Sequence, residues 1–413
     1  MNPCENWLEM RILMIAPEPF FEPRGTPFSE FHRIRALTAL GHQVDLVTYP
    51  FGEDVSMPGL RVIRALRPPF VRRVKIGPSA AKFPLDALLA LTAFRVGLTG
   101  KYDIVHSHEE GGVIGVVLSR ILRVPHLYDM HSSLPQQLTN FAFTGSSLAR
   151  GVVRWFEKLM INRSKVVIVI CPALEDTVRA TAPDANVVLI ENAPGSAEDH
   201  ATPAQAAAVR QMHGIGDATP LVLYTGTFEA YQGLDLLFES MALVAQERPD
   251  ARLLLAGGKP DQVDKFRALA AKAGIGAVTI FAGERPALEI PAYLLACDAL
   301  VSPRSRGTNT PLKIYQYLRS GKAIVATRLL THTQVLDDDT AVLTGTSARE
   351  FADGILLALT DRARAALVGA NAAHLAETKY SYEAYLDKTR RACAAIDPTA
   401  TPLVPGSPVK DVA

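Results

Sequence analysis

Short apolar runs rich in Val, Ile and Leu recur along the chain, and between them lie longer stretches whose apolar residues have helical spacing. This pattern predicts alternating strands and helices. In the first half, strands are predicted at residues 11–16, 43–49, 103–107, 126–130, 166–171 and 187–191. In the second half, they are predicted at 221–224, 252–256, 278–281, 299–302, 323–326 and 342–344. Several runs are almost wholly apolar, which is typical of strands buried on both faces of a parallel sheet.

A polar, alanine-rich stretch follows Asn192-Ala-Pro-Gly and separates the two halves. The predicted domains are residues 1–195, with 1–9 as an extension, and residues 196–385. Residues 386–396 are predicted to form a helix that crosses back to the first domain, and 397–413, with four prolines, a flexible tail. The predicted fold class is α/β, with two Rossmann-like, doubly wound parallel sheets facing each other across a cleft.

Composition narrows the classes of function. The 413 residues carry a formal net charge of +1, which argues against a globally basic nucleic-acid binder. The longest apolar stretches, at 85–94 and 166–171, are shorter than the roughly 20 residues that a membrane-spanning helix needs. The four cysteines have no paired spacing, and the first ten residues do not resemble a secretory signal, so we expect a cytoplasmic protein without a structural metal.

The segment 301–322 is typical of an anion site, because a strand is followed by a glycine-containing polar loop and a helix start. Asn309 or Thr310 can cap that helix, and Pro311 suits its first turn. The exposed amides of a helix start favour a diphosphate. Arg304, Arg306 and Lys313 can add charge. The alternative is an ordinary loop with solvated arginines.

The segment 223–237 has a similar organisation, with a strand, a turn at Gly226 and a helix. Gly226 permits close approach of a ligand to the backbone, and Gly233 can start the helix. For either glycine alone, plain turn geometry is the alternative.

Together these segments resemble the carboxyl-terminal domain of the retaining glycosyltransferases of family 4, which have the GT-B fold. The first half has similar likenesses, and the resemblance covers about residues 10–396. The motifs that carry it are Arg24-Gly-Thr-Pro-Phe-Ser-Glu-Phe, Asp103-Ile-Val-His-Ser-His, Tyr128-Asp-Met-His-Ser-Ser, Tyr224-Thr-Gly-Thr-Phe-Glu-Ala-Tyr-Gln-Gly, Leu253-Leu-Leu-Ala-Gly-Gly and Pro311-Leu-Lys-Ile-Tyr-Gln-Tyr-Leu-Arg-Ser-Gly-Lys.

The resemblance implies roles for individual residues. It places His131 near the donor sugar, and it implies no cofactor and no metal. With His131, Lys313 and Arg304 are catalytic candidates, because the departing nucleoside diphosphate gains negative charge that must be stabilised. The implied donor-binding residues are Gly25, Thr26, Gly226, Thr227, Thr308, Asn309, Thr310, Pro311, Leu312 and Gln316.

The chain departs from the family pattern at four positions. Thr308, or Gly307 if the loop is shifted by one residue, stands where the family commonly has a glutamate that contacts the sugar. Gln316 stands where it has a glutamate that binds the ribose. Thr227 and Gln232 stand where it has a basic pair. These departures leave the identity of the donor open.

Polar residues cluster after two predicted strands of the first half. Asp129, His131, Ser132 and Ser133 follow one strand, and a histidine there is often only structural. His108, Glu109 and Glu110 follow the other and are candidates for contact with the acceptor, although carboxylates at a helix start also suit the helix dipole. Their spacing matches no zinc signature.

Residues 61–82 contain seven basic side chains and no acidic one, interleaved with apolar residues. Each such charge contributes about 1 kcal/mol near an anionic leaflet. This patch, with Arg72, Arg73 and Lys75 at its centre, indicates peripheral contact with the inner face of a membrane. The helix that follows can lie in the interface or pack on the sheet.

The sequence therefore predicts a retaining, metal-independent glycosyltransferase. It would move a sugar from a UDP- or GDP-sugar to a hydroxyl acceptor. A lipid-linked acceptor and a cell-surface glycan are the two acceptor classes considered. A nucleotide-sugar epimerase of the same fold and a nucleotide-sugar-binding scaffold without catalysis are the alternatives. A dehydrogenase is disfavoured, because residues 17–25 lack the close glycine triplet of a dinucleotide turn.

Overall fold

A computed structural model describes residues 9–22, 25–69, 71, 82–135, 147–192 and 201–396. These residues form two compact units. The first contains the described residues up to Glu191 and those from Tyr385 onward, and the second runs from Asn192 to Ala384. The sequence places the same two divisions at 195 and 385.

The first unit is built on a parallel sheet of seven strands in the order β3-β2-β1-β4-β5-β6-β7. Its strands are β1 (Arg11–Ala16), β2 (Gln43–Thr48), β3 (Leu60–Arg64), β4 (Ile104–His108), β5 (His126–Met130), β6 (Val166–Val169) and β7 (Val187–Leu189). Its helices are α1 (Gly25–Ala39), α2 (Lys82–Thr99), α3 (Gly111–Leu122), α4 (Ser147–Arg163) and α5 (Pro172–Thr181).

The second unit has a parallel sheet of six strands in the order β10-β9-β8-β11-β12-β13. The strands are β8 (Leu221–Thr225), β9 (Arg252–Ala256), β10 (Thr279–Gly283), β11 (Ala299–Ser302), β12 (Ala323–Thr327) and β13 (Val342–Thr344). The helices are α6 (Pro203–Met212), α7 (Leu234–Glu247), α8 (Pro260–Lys272), α9 (Ile290–Ala296), α10 (Leu312–Ser320), α11 (Leu330–Thr333), α12 (Ala348–Thr360) and α13 (Arg362–Lys379). The last helix, α14 (Tyr382–Ala394), begins in the second unit and continues into the first.

Both sheets are buried on both faces, which explains the continuous apolar runs. In β8, Leu223 packs in one core cluster and Val222 in the other. In β1, Ile12 and Leu13 divide between two clusters in the same way. The predicted α/β class with two Rossmann-like, doubly wound sheets is confirmed.

The sequence analysis did not predict strand β3. This strand lies at the edge of its sheet and its residues are at most partly buried, so it lacks a continuous apolar run. Its sequence, Leu-Arg-Val-Ile-Arg, was interpreted as part of the basic patch. Arg61 instead pairs with Asp45 of the neighbouring strand, with 2.8 Å between Nε and Oδ1. Arg64 donates to backbone carbonyls and to Asp54 at 3.0 Å. The patch therefore has less unpaired charge than its composition suggests.

Helix α2 packs on the first sheet through Leu85, Leu89 and Ala93. Its other face leaves Phe83 and Leu91 exposed. Among the residues that the structure describes, no helix combines the length and the apolar character needed to cross a membrane.

Candidate active site

In each sheet the strand order reverses between two neighbouring strands, β1 and β4 in the first unit and β8 and β11 in the second. Ligands of such sheets bind beyond the carboxyl ends of the strands near this reversal. The predicted site residues follow β4 and β5 in the first unit and β8 and β11 in the second. Each group is described within its own unit.

In the first unit, the register of β4 and β5 brings the two predicted histidines together. His108 lies opposite Asp129, and the Nδ1 atom of His108 is 3.2 Å from Nε2 of His131. Glu109 follows His108 and Ser132 follows His131, and these two residues also interact. The Ser132 hydroxyl donates to the Glu109 carboxylate at 2.9 Å. The structure thus joins His108, Glu109 and His131 in one cluster.

A buried ion pair lies beneath His131. Arg33 of α1 donates from Nε to Oδ2 of Asp129 at 2.9 Å, and the two side chains are 2 % and 0 % exposed. The other carboxylate oxygen, Oδ1, is 3.2 Å from His131 Nε2. Burial opposes ionisation of Asp129, but the charges of Arg33 and His131 outweigh it and hold its pKa well below the usual value.

Two other carboxyl groups in this region behave in the opposite way. Burial raises the pKa of Glu30 well above its usual value, and the nearby carboxylates of Glu18 and Asp129 add to the shift. Neither side-chain oxygen of Glu30 has a hydrogen-bond partner among the described residues. Burial, followed by Glu110 and Glu18, likewise raises the pKa of Glu109. Glu30 and Glu109 therefore favour the neutral acid.

The third predicted acceptor-side residue, Glu110, lies at the start of α3. Its carboxylate pairs with Lys82 of α2 at 2.7 Å, so part of its charge is neutralised within the unit. Lys82 was counted in the basic patch and is likewise paired.

His106, His108 and Asp129 have ligating atoms within 4.8 Å of one another and are of types that bind metals. The guanidinium of Arg33 already contacts Oδ2 of Asp129. A divalent cation there would lie next to that buried positive charge. The absence of a metal from the reaction stays a prediction.

In the second unit, Gly226 follows β8 with a φ of +132°, a conformation that favours glycine. Its loop lies beside the loop that follows β11. A Cβ atom on Gly233 would lie 1.9 Å from the carbonyl oxygen of Pro303, so that only glycine permits this approach. Thr227 contributes its carbonyl to the hydroxyl of Tyr224 at 2.7 Å.

Lys313 connects the two loops. Its ammonium donates to the carbonyl of Thr225 at 3.1 Å and lies 3.8 Å from the centre of the Tyr224 ring. A Cβ atom placed on Gly226 would be 3.7 Å from Nζ. Burial, followed by the charge of Arg304, lowers the pKa of Lys313 well below its usual value. A predicted catalytic candidate thus lies beside a predicted donor-binding glycine.

The helix start differs from the prediction. Pro311 is itself the N-cap residue of α10, and no side chain caps the helix. The prediction that Asn309 or Thr310 caps it was wrong, because both residues precede the N-cap position. The backbone carbonyl of Asn309 accepts from Arg304 and Thr331, and these contacts fix the loop before the helix. The Thr310 hydroxyl is buried without a hydrogen-bond partner among the described residues. This residue directly precedes Pro311, the N-cap of α10.

Arg304 folds back on its own loop. It donates to the carbonyls of Arg306 and Asn309, each at 3.0 Å, and its guanidinium lies 5.0 Å from the ring centre of Tyr231. Thr308 is fixed in the same loop, where its carbonyl accepts from Gln334 at 2.5 Å. In this structure Arg304 organises the loop that precedes the helix.

The remaining predicted residues are placed as follows. Gly25 begins α1 with a φ of +52° and open space around its Cβ position, and Thr26 follows it in the helix. Leu312 is the first residue of α10, and Gln316 lies one turn further along, partly buried. Arg72, Arg73 and Lys75 lie outside the described residues.

Glu30 and Arg33 are the residues of this region that sequence reasoning missed. In α1 they share a buried face with Ile34 and Leu37. A charged side chain at such a spacing in an amphipathic helix indicates a buried polar group. That signal was present in the sequence.

Comparison with known proteins agrees with this architecture. The family described as "Glycosyl transferases group 1" matches residues 206–375, and the family described as "Glycosyl transferase 4-like domain" matches residues 32–193. Together the two matches cover most of the chain. It belongs to the family 4, group 1 glycosyltransferases, as its sequence motifs predicted, and it is a glycosyltransferase.

Individual proteins show the same likeness. D-inositol 3-phosphate glycosyltransferase of Corynebacterium aurimucosum is 26% identical over 394 residues, which cover 87% of this chain and 90% of that protein. Sucrose-phosphate synthase of Thermosynechococcus elongatus superposes with a TM-score of 0.76 at 20% identity, over 93% of this chain and 98% of the other. Anabaena HepE in complex with UDP and glucose superposes with a TM-score of 0.72 at 19% identity, over 94% and 100%. The two superpositions show the GT-B fold.

Proposed function

We propose that the protein transfers a sugar from a nucleoside diphosphate sugar to a hydroxyl acceptor, with retention of anomeric configuration and without a metal ion. The observation that carries this proposal is the position of Lys313. Its ammonium lies beside Gly226 in the uncapped start of α10, where the Thr310 hydroxyl lacks a partner. Backbone amides, a buried cation and an unsatisfied hydroxyl together suit a diphosphate.

Lys313 also supplies positive charge in a region where this chain lacks the basic pair that the family usually has. The usual basic pair is replaced by Thr227 and Gln232, and a buried lysine in the neighbouring loop can stabilise the departing diphosphate in their place. Because burial lowers the pKa of Lys313, an anion that binds beside it will shift that pKa back toward the usual value.

In the first unit, we propose that His131 contacts the transferred sugar and that His108, Glu109 and Glu110 form the acceptor side. Two carboxyl groups there, Glu30 and Glu109, have raised pKa values because they are buried. A group whose pKa is raised toward neutrality can accept or donate a proton at a reacting hydroxyl. Glu109, which also accepts from Ser132, is the candidate for that role.

Binding is tested first. Isothermal titration with UDP, GDP and ADP should show one nucleotide that binds more tightly than the others. Lys313→Met should weaken that binding by about 2–3 kcal/mol, roughly 30- to 150-fold. Lys272→Met removes an exposed lysine from α8 of the same unit and should leave the binding unchanged. Equal binding by both variants would contradict the proposed site.

Catalysis separates the three functions that the sequence left open. A transferase releases nucleotide faster when an acceptor is added, and the anomeric proton of the product shows retention by NMR. An epimerase converts the sugar nucleotide without releasing nucleotide. A binding scaffold, which the replacement of two glutamates by Thr308 and Gln316 favours, binds nucleotide but neither transfers nor hydrolyses it.

We also propose that the acceptor is membrane-associated and that the protein touches an anionic leaflet from the cytoplasmic side. Arg61, Arg64 and Lys82 are paired, so this proposal rests on Arg72, Arg73 and Lys75, and on α4. Helix α4 exposes Trp155 (58 %) with the cations Arg154 and Lys158 beside it. Such a face suits a membrane interface.

Fluorescence tests that contact, since the chain has two tryptophans, Trp7 and Trp155. In a Trp7→Phe variant, vesicles of phosphatidylglycerol should shift the Trp155 emission to shorter wavelength, and phosphatidylcholine vesicles should not. Charge reversal at Arg154 and Lys158 should remove the shift. An unchanged spectrum with both lipids would contradict the contact.

A further inference from the structure

The carboxyl-terminal helix contacts the buried ion pair of the first unit directly. From Tyr385 onward, α14 packs in the core cluster of β1, together with Ile12 and Met14. The guanidinium carbon of Arg33 lies 5.1 Å from the centre of the Tyr385 ring, and its Nη1 donates to the Thr389 hydroxyl at 3.3 Å. That hydroxyl donates in turn to the carbonyl of Tyr385 at 2.9 Å. Helix α14 therefore fixes the plane of the guanidinium.

The other edge of Arg33 fixes Asp129. One oxygen of the carboxylate accepts from Arg33 Nε at 2.9 Å, and the other lies 3.2 Å from Nε2 of His131. The two oxygens thus face different groups, Oδ2 the guanidinium and Oδ1 the imidazole. Rotation of the carboxylate to serve one partner would disturb the other.

Nε2 of the His131 ring lies close to two groups. Its Nε2 is 3.2 Å from Asp129 Oδ1 and 3.2 Å from His108 Nδ1. An ionised carboxylate beside Nε2 favours the tautomer that carries its proton on that nitrogen. In the neutral ring, Nδ1 is then an acceptor for a hydroxyl group.

A contribution to stability does not by itself explain the buried ion pair between Arg33 and Asp129. Both members of the Arg33–Asp129 pair are almost wholly buried. Buried ion pairs lose about as much in hydration as they gain in attraction, and apolar residues of similar volume often serve stability equally well. An ion pair can instead serve to fix the orientation of a neighbouring side chain, here the ring of His131.

We propose that Arg33, held by Tyr385 and Thr389 of α14, is a positioning residue that keeps His131 in one ring orientation and one tautomer through Asp129. This inference rests on the proposed function, because it assumes that His131 contacts the transferred sugar. It assigns the carboxyl-terminal helix a part in the reaction. No residue of α14 needs to touch a substrate for this.

The most direct test observes the ring of His131 without any substrate. Protein labelled with ¹⁵N-histidine is examined by long-range ¹H–¹⁵N correlation, with the His131 signals assigned from a His131→Asn variant. We expect a single tautomer, protonated on Nε2, in the native protein. Thr389→Val and Arg33→Lys should produce a mixture of tautomers or a shifted Nε2 resonance.

The chain offers a matched control on the same helix. Lys388 pairs with Glu191 at 2.5 Å and also ties α14 to the first unit, but through a different face. Lys388→Met should loosen α14 without changing the His131 resonances. If Lys388→Met changes them as much as Thr389→Val does, general docking of the helix suffices and the positioning role is wrong. Unchanged resonances in both Thr389→Val and Arg33→Lys would also overturn it.

Kinetics supplies an independent readout, with hydrolysis of UDP-glucose as the probe. Arg33→Lys should lower kcat on the order of 100-fold, with KM for the donor little changed, because a displaced ring impairs the reaction more than donor binding. Thr389→Val should show a smaller loss of the same kind. Absence of hydrolysis in the native protein would count against the proposed function, whereas the NMR result decides the positioning role by itself.

The pH dependence of kcat provides a further test, because the direction of its shift in Arg33→Lys can be predicted. The titratable or charged groups around the ion pair are Glu30, His106, His108, His131 and Tyr385. Because the charge of Arg33 lowers the pKa of Asp129, a weaker contact in Arg33→Lys should move the acidic limb of kcat to higher pH. A limb that stays in place would contradict the link through Asp129.

Discussion

The candidate site residues of the two units differ in how their buried charged groups are paired. In the first unit, the charges of Arg33 and Asp129 pair inside the protein, and His131 lies 3.2 Å from the second carboxylate oxygen. In the second unit, the start of α10 has no side-chain cap, and the Thr310 hydroxyl has no partner. The buried cation of the first region is paired with a carboxylate, whereas the buried Lys313 ammonium of the second contacts a backbone carbonyl and a tyrosine ring. We propose that an anionic ligand pairs with it. Substitutions should therefore affect stability in the first and ligand binding in the second.

The largest expected effect is on the stability of the first region. Asp129→Asn leaves the Arg33 charge buried and uncompensated, and should lower the free energy of unfolding by about 3–5 kcal/mol. Denaturant titration measures it. The double variant Arg33→Met/Asp129→Leu removes both charges and should recover most of the loss. If the double variant is as unstable as the single one, the buried charge is not the cause.

In the second region, Lys313→Met should affect binding and stability in opposite directions. Loss of a charged contact should weaken binding of the nucleoside diphosphate by about 2–3 kcal/mol, roughly 30- to 150-fold. Without ligand, the variant should melt no lower than the native protein, because a buried ammonium is costly to keep. Differential scanning calorimetry with and without nucleotide tests both parts. A strongly lowered melting temperature in the free variant would contradict the comparison.

The next effect is a pH dependence in the first unit. Burial raises the pKa of Glu30 well above its usual 4.5, so the folded protein keeps this proton to higher pH than the unfolded chain does. Its contribution to stability is complete below pH 4.5 and is lost as pH rises through the folded pKa. Glu30→Gln, which imitates the neutral acid, should remove this loss, which amounts to about 1.4 kcal/mol per pH unit.

Unfolding free energies of the native protein and of Glu30→Gln, measured from pH 5 to 8, check this prediction. The two curves should separate as pH rises, with the variant the more stable. Parallel curves would show that Glu30 is ionised in the folded protein despite its burial.

The smallest effect is expected at Thr310. Thr310→Val removes a buried hydroxyl that has no partner, so the free protein should keep or slightly gain stability. Nucleotide affinity should fall by about 1 kcal/mol, roughly 5-fold, if the hydroxyl contacts the ligand. Calorimetry on the same samples as Lys313→Met measures both. An unchanged affinity would place the hydroxyl outside the binding site.

The comparison also explains what the sequence could reveal about the site. Lys313 and Gly226 were found because glycine turns, a helix start and a nearby cation are local features. The role of Arg33 was missed because its partners lie far along the chain, Asp129 by 96 residues and Thr389 by 356. The burial of Glu30 likewise depends on how α1 packs in the folded unit. The capping of α10 was predicted wrongly for a similar reason. Residue preferences allowed Asn309 as a cap, but contacts with Arg304 and Thr331 took its carbonyl and set the loop.

By itself, the sequence determined the two parallel α/β sheets, nearly all of their strands and the family, because apolar runs and glycine turns act over a few residues. It did not determine β3, an edge strand whose alternation is weak and whose arginines acquire partners only from the adjoining strand and loop. The tertiary structure decided which charges are paired inside the protein and which buried polar groups have no partner among the described residues. Charge pairing and hydrogen bonding depend on burial and on partners that are distant in the chain. Neither can be predicted from the spacing of neighbouring residues.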